Sequence, residues 1–253
     1  MPSLPRTSAS HLSAIACVVS CAHIDRNHYL GDPNFTQTPT ELMISKERAN
    51  MWYQRIKCGE IPTSMTEAPP SCTTHLSVYD EEGNAVSVTH TLGTSSGVTT
   101  PGLGFTYNNS MKLFDPIPGR RNSMAPGKAR TTGMVPTIVF KNQRPVLIAG
   151  APGGSVIISA VLQSIVNVLD FGMSPVEAVT VPRIHCEGLG IHAEATVPIS
   201  IVRELESLGH KVHHKNESYG MEMSMAHIIF IDEDGIVKGG ADPRSGGGVA
   251  YAR

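Results

Sequence analysis

Thr73-Thr-His-Leu-Ser-Val-Tyr-Asp-Glu-Glu-Gly-Asn-Ala-Val-Ser-Val-Thr-His-Thr91 is the stretch on which the fold turns. Residues 75–79 and 85–91 alternate apolar and polar side chains, the two-residue period of a strand, and Asp80-Glu-Glu-Gly-Asn84 between them is turn chemistry. The pattern predicts a β-hairpin that begins at Thr73.

Toward the C-terminus the same grammar repeats. Val135-Pro-Thr-Ile-Val-Phe140 and Val146-Leu-Ile-Ala149 flank the polar turn Lys141-Asn-Gln-Arg144, predicting a second hairpin. Gly153-Gly154 then opens a helix that Ser155 can cap, and residues 156–169 are apolar on most faces, as in a buried helix. Shorter helices are expected over residues 175–181 and 199–208, and late strands over 226–231 and 236–239. Strands and helices in separate blocks indicate a layered α+β architecture rather than β-α-β winding.

Toward the N-terminus the texture changes. Residues 1–72 hold the only Trp, Trp52, and leave through the Pro/Ser/Thr-rich run Ile61-Pro-Thr-Ser-Met-Thr-Glu-Ala-Pro-Pro-Ser-Cys72, which reads as an exposed linker. One amphipathic helix is expected over residues 40–56, and nothing in the segment resembles a self-sufficient core. The short apolar patch at residues 14–19 behind a single Arg6 is a poor match to a secretion signal.

Bulk properties narrow the function classes. With 253 residues, 40% of them hydrophobic, the chain can bury a sizeable core. A net charge of -2 offers no basic stripe for nucleic acid, and no run approaches the roughly eighteen apolar residues of a membrane span. Five scattered cysteines without a Cys-x-x-Cys suggest neither a disulfide framework nor a zinc knuckle, and fit a reducing, cytoplasmic setting. Among eleven histidines there is no His-Glu-x-x-His, so no metal is expected, and His210, His213 and His214 read as solvated surface residues.

Chemistry concentrates at two places. Gly150-Ala-Pro-Gly-Gly-Ser155 is a Gly-rich turn from a strand into a helix, and it aims backbone N–H groups at whatever sits before that helix. It can hold a phosphate, an acyl-transfer oxyanion, or nothing at all; the lysine of a phosphate loop is missing. Gly188-Leu-Gly-Ile-His-Ala193 fits a dinucleotide pattern only formally, because no apolar strand precedes it and Pro198 interrupts the helix that should follow. Ser155 is followed by Val156-Ile157, which excludes a nucleophile elbow. Thr73, at the junction of linker and strand, is either good strand-start chemistry or a nucleophile whose own α-amino group becomes its base once the preceding bond is cut.

Several ordered stretches together resemble the γ-glutamyltranspeptidase family. They are Thr73-Thr-His75, Asp80-Glu-Glu-Gly-Asn84-Ala-Val-Ser-Val, Asn108-Asn109-Ser-Met111, Met134-Val-Pro-Thr-Ile-Val139 and Ala151-Pro-Gly-Gly-Ser155 leading to Gln163. Glu177-Ala178 before Pro182-Arg183, and Asp242-Pro-Arg-Ser245, complete the set. The likeness covers residues 73–253, the small-subunit-like catalytic region, while Asp25-Arg-Asn-His-Tyr-Leu-Gly-Asp-Pro33 resembles the tail of the large subunit within residues 1–72.

This resemblance implies an N-terminal-nucleophile hydrolase αββα sandwich, here without most of the large subunit, and autocatalytic cleavage of the Cys72–Thr73 bond. It implies a small-molecule amide substrate such as glutathione, a large-subunit-like polypeptide as partner, and no cofactor. Thr73 matches the nucleophile, Thr91 the hydroxyl that bonds the new terminus, and Gly153 with Gly154 the oxyanion donors. Asn109 lies in a segment that shapes the site, and Thr132 stands where the family has the first of two substrate-binding serines. Departures are equally informative. Gly133 replaces the second serine, Gly93 replaces a polar residue, and Ser110 and Leu113 stand where two carboxylates would grip the substrate ammonium. Retained catalytic residues with altered recognition resemble γ-glutamyltranspeptidase-like acylases and amidohydrolases. The alternative is a catalytically silent fragment.

Overall fold

The computed structural model describes residues 5–64, 72–244 and 246–252. Its elements run α1 (Ala9–Tyr29), α2 (Thr40–Met43), α3 (Lys46–Lys57), β1 (Cys72–Tyr79), β2 (Ala85–Gly93), β3 (Ser95–Thr99) and β4 (Thr106–Asn108). After a short 3-10 turn at Ser110–Leu113 come β5 (Thr137–Lys141), β6 (Arg144–Gly150), α4 (Val156–Leu169), α5 (Pro175–Thr180), β7 (Ile184–His185) and β8 (Ile191–Ala193). The chain closes with α6 (Ile199–Ser207), β9 (Val212–His214), β10 (His227–Ile231) and β11 (Val237–Ala241).

Three layers position the site. A four-stranded antiparallel sheet, in the order β11-β10-β6-β5, receives the β1–β2 hairpin on one face and α4 with α5 on the other. This is the α+β, N-terminal-nucleophile type of architecture expected from the sequence. Leu147 and Ala149 of β6 meet Ile157, Ala160 and Val161 of α4 in one core, all at most 3% exposed. Each large aliphatic side chain so buried contributes about 1.5–3 kcal/mol. Close approach of the hairpin depends on Gly150, since a Cβ there would lie 2.1 Å from the His75 ring.

The hairpin's alternation is inverted relative to an ordinary half-buried strand. His75 and Ser77 of β1, with Ser87 and Thr89 of β2, are on its more buried side, and Ser87 Oγ donates to the Ala149 carbonyl at 3.1 Å. Leu76, Val78, Val86 and Val88 are exposed on the other. The face turned to the sheet is thus the polar one, and it continues to the hydroxyls of Thr73 and Thr91.

Some regions add to the expectations from the sequence and others differ from them. The apolar patch at residues 14–19 belongs to a 21-residue helix, α1, whose Leu12, Ile15 and Val19 share a second core with Ile184, Ile191, Val202 and Leu205. The single helix expected over residues 40–56 breaks at Ile44, because Ser45 Oγ accepts from the Arg48 N–H at 3.0 Å and starts α3 afresh. Strand β5 starts at Thr137, one residue beyond Pro136, which has no N–H for the ladder. His210 is buried, with Nε2 2.7 Å from Ser13 Oγ, and His213 and His214 are half-buried in β9, so none is a freely solvated residue. Most of the run expected to be an exposed linker, 65–71, lies outside the described residues; Pro62 before it is buried.

Four buried charged residues, Arg183, Glu194, Asp242 and Arg244, form one cluster. Arg183 pairs with Asp242, which also accepts from Arg244 Nη1 at 2.9 Å, and Arg244 Nε meets Glu194 Oε1 at 2.6 Å. All four residues are at most 3% exposed, and every carboxylate oxygen has a guanidinium or backbone N–H partner.

Candidate active site

Thr73 and Thr91 are register partners at the open end of the β1–β2 hairpin, just inside an irregularity between Cys72 and Thr73. Their hydroxyl oxygens are 2.9 Å apart. Thr91 Oγ1 donates to the Cys72 carbonyl oxygen at 2.8 Å and accepts from the Gly93 N–H at 2.9 Å. With its own proton directed at Cys72, Thr91 takes the Thr73 hydroxyl as a donor. Thr91 thus links the Thr73 hydroxyl to the carbonyl of the residue before it.

Across the opening, β6 delivers the turn that starts α4. Gly153 has φ of 139° and Gly154 φ of 70°, conformations that glycine adopts without Cβ strain. Ser224 packs so tightly on this turn that a Cβ at Gly153 would come within 2.8 Å of it. Among the described residues neither glycine N–H donates to a protein acceptor, so both remain available to an anion. Ser155 does not cap α4 as expected; its hydroxyl donates to Glu187 instead.

A cavity of about 830 Å³ joins these parts, and Thr73, Thr91, Leu113, Thr132, Gly133 and Gly154 line it. Gly133 is needed for the close fit, since a Cβ there would lie 2.9 Å from the Gly154 carbonyl oxygen. Gly93, Asn109, Ser110 and Gly153 do not line the cavity. Gly93 packs on Ser110, where a Cβ would approach Ser110 Cα to 3.0 Å, and the Asn109 N–H donates to Leu92 and Thr94 carbonyls at 2.9 and 3.0 Å.

Sequence reasoning gives no role to three charged residues in the same wall: Arg26, Arg130 and Glu187. Arg130 Nη2 donates to Ser110 Oγ at 3.5 Å, and burial lowers the guanidinium below its usual pKa. Burial lowers Arg26 as well, against the opposing pull of Glu187, and Arg130 adds to the lowering. Burial pushes the Glu187 carboxyl up, but hydrogen bonds from His185 and Ser155 outweigh it and hold it below the ordinary carboxylate range. The only available signals were position: Arg130 two residues before Thr132, and Glu187 two after the His185 of a buried strand. Among the described residues no cluster of acid, His or Cys side chains is placed to hold a metal, and no helix is long and apolar enough to cross a membrane.

The family model described as gamma-glutamyltranspeptidase matches residues 3–252. The chain is 34% identical to the glutathione hydrolase proenzyme of Escherichia coli over 94% of its own length and 44% of that protein's. It is 36% identical to the acylase ACY 1 proenzyme of Pseudomonas sp. strain V22, over 95% of this chain and 43% of that one. Cephalosporin acylase from Bacillus halodurans superposes with a TM-score of 0.84 at 27% identity, over 98% of this chain and 46% of that one. The chain thus spans less than half the length of these relatives. On the match over nearly its whole length, the chain belongs to the gamma-glutamyltranspeptidase family.

Proposed function

We propose that this chain supplies the nucleophile side of an amide hydrolase or acyltransferase, with Thr73 as the nucleophile once the Cys72–Thr73 bond is cut. The observation that carries the reading is the triangle of Thr73 Oγ1, Thr91 Oγ1 and the Cys72 carbonyl, with contacts of 2.9 and 2.8 Å. Thr73 Oγ1 attacks the Cys72 carbonyl carbon and passes its proton toward Thr91. The C–N bond breaks, the nitrogen takes a proton, and water hydrolyses the resulting ester to a Cys72 carboxylate and a free Thr73 amine. That amine, with a reference pKa of about 7.7–8.0, then serves as base for its own hydroxyl. In turnover Thr73 Oγ1 attacks a substrate amide, the Gly153 and Gly154 N–H groups hold the oxyanion, and the acyl group passes to water or an amine.

The family default is transfer or hydrolysis of a γ-glutamyl group from a glutathione-type substrate. Two observations support an acyl group without the α-ammonium instead. Leu113 puts an isobutyl group in the cavity wall, and Arg130 places a cation against Ser110, so that an ammonium there meets repulsion rather than a carboxylate. Asp115, the nearest substitute acid in sequence, is engaged by Arg120 Nη1 at 3.1 Å.

The test compares kcat/KM for γ-glutamyl-p-nitroanilide and glutaryl-p-nitroanilide, with a complete large-subunit-like context supplied. The expected result is a glutaryl preference of about one to two decades, the worth of a charge-assisted hydrogen bond, which Leu113→Asp reverses or narrows. No release of p-nitroaniline from any acyl anilide, or release that survives Thr73→Ala, overturns the function. A strong γ-glutamyl preference abolished by Asp115→Ala overturns the specificity alone.

A further inference from the structure

Behind the Gly153-Gly154 turn lies a chain of buried polar groups that neither cleavage nor acyl transfer, as set out above, uses. Ser159 Oγ lies 2.7 Å from His185 Nδ1, and His185 Nε2 lies 3.1 Å from Glu187 Oε1. The same Glu187 oxygen accepts from Ser155 Oγ, the residue that follows the two glycines. One set of proton positions satisfies the whole chain: Ser159 donates to Nδ1, Nε2–H donates to Glu187, and Ser155 donates to Glu187. The ring of His23 on α1 closes the far side, with Nδ1 3.9 Å from Glu187 Oε2 and its plane at 84° to that of His185. Arg26, three residues along the same helix, supplies the counter-charge in the cavity wall.

These groups are not there as spare polarity. Ser155, Ser159, His185 and Glu187 are at most 7% exposed, and His23 is fully buried. A buried carboxylate is costly unless its hydrogen bonds are met, and here it takes the Ser155 hydroxyl away from its ordinary work of capping α4. From the opposite side Ser224, itself at φ of 66°, donates to the Pro152 carbonyl and fills the space against Gly153. The two-glycine turn is thereby gripped at residue 152 on one flank and at residue 155 on the other.

We propose that Glu187 is the positioning residue of the Gly153-Gly154 turn, holding it through Ser155 and anchored in turn by His185. The inference rests on the reading of those two N–H groups as oxyanion donors.

Ser155→Ala and Glu187→Ala both break the link, and Glu187→Gln keeps an acceptor for Ser155. With the large-subunit-like context supplied, each alanine variant is expected to lower kcat on the preferred acyl anilide at least about tenfold with KM within about twofold. The double variant should lose no more than either single one, and Glu187→Gln should recover most of the rate. Amide hydrogen exchange of residues 158–161, the first hydrogen-bonded amides after the glycines, reads the turn independently of turnover, and should quicken about tenfold in both alanine variants. Additive losses in the double variant, a rise in KM with kcat unchanged, or unaltered exchange in Ser155→Ala each overturn the proposal. An inactive wild type whose exchange still responds would refute the amidase reading and leave the positioning role standing; should Glu187→Ala not fold, Ser155→Ala and Glu187→Gln decide.

Discussion

Thr73 and Thr91 stand directly opposite each other in the β1–β2 ladder with their hydroxyl oxygens 2.9 Å apart, and Thr91 also reaches the carbonyl before Thr73. One hydroxyl thus touches both residues of the bond proposed to be cleaved. Thr91→Val keeps the shape and removes both hydrogen bonds, so conversion of precursor to two fragments should slow by about tenfold or more, whereas Thr91→Ser should stay near wild type. Time courses on denaturing gels measure this. An unchanged rate in Thr91→Val would remove Thr91 from the account.

The turn at Gly154 should matter for rate far more than for stability. Its φ of 70° is open to alanine at a cost of about 1–2 kcal/mol. Displacing an oxyanion donor costs about a hundredfold or more in turnover. Gly154→Ala should therefore lose activity on that scale while its urea midpoint moves modestly. Losses of activity and stability in proportion would show a structural turn and nothing more.

Much of this arrangement is legible in the sequence because it is written in local patterns. The hairpin from residue 73, the β5–β6 pair and α4 follow from two-residue alternation, turn residues and a glycine pair, and Thr73 is marked by its place at a strand start. What escaped was set by tertiary partners. The α1 helix looks unremarkable in isolation because it is buried by residues almost two hundred positions away, as in the pairing of Ser13 with His210. Ser155 fits the rule for a helix cap, and loses that role to a carboxylate 32 residues on. Arg130 shows no pattern at all; its meaning comes from the cavity it borders.

The Arg183, Asp242, Arg244 and Glu194 cluster should be a stability element. Removing one partner leaves an uncompensated buried charge, which costs about 3–5 kcal/mol. Arg244→Met should lower the unfolding free energy in urea by that amount, a large share of the about 5–15 kcal/mol typical of a folded domain. A change under about 1 kcal/mol would mean that water or a rearranged partner satisfies the remaining acids.

Stability should also fall on mild acidification. Burial, then the neighbouring His227, push His75 down from 6.5 to about 4, with its ring nitrogens held 2.9 Å from Thr89 and Ser77 hydroxyls. Between those values the unfolded chain takes up a proton that the folded one refuses. The stability from a neutral His75 is therefore intact above pH 6.5 and is lost progressively as pH falls toward 4, by roughly 3 kcal/mol in all. His75→Gln should flatten this part of the pH dependence of the urea midpoint. An identical slope in wild type and variant would show that other groups carry it.

Cleavage itself decides whether Thr73 is the nucleophile. Intact-mass analysis and N-terminal sequencing, with the large-subunit-like context supplied, should find a fragment that starts at Thr73, and Thr73→Ala should remain a single uncut chain. Fragments of unchanged mass and yield from Thr73→Ala would contradict the account, because another residue or an outside protease would then be making the cut.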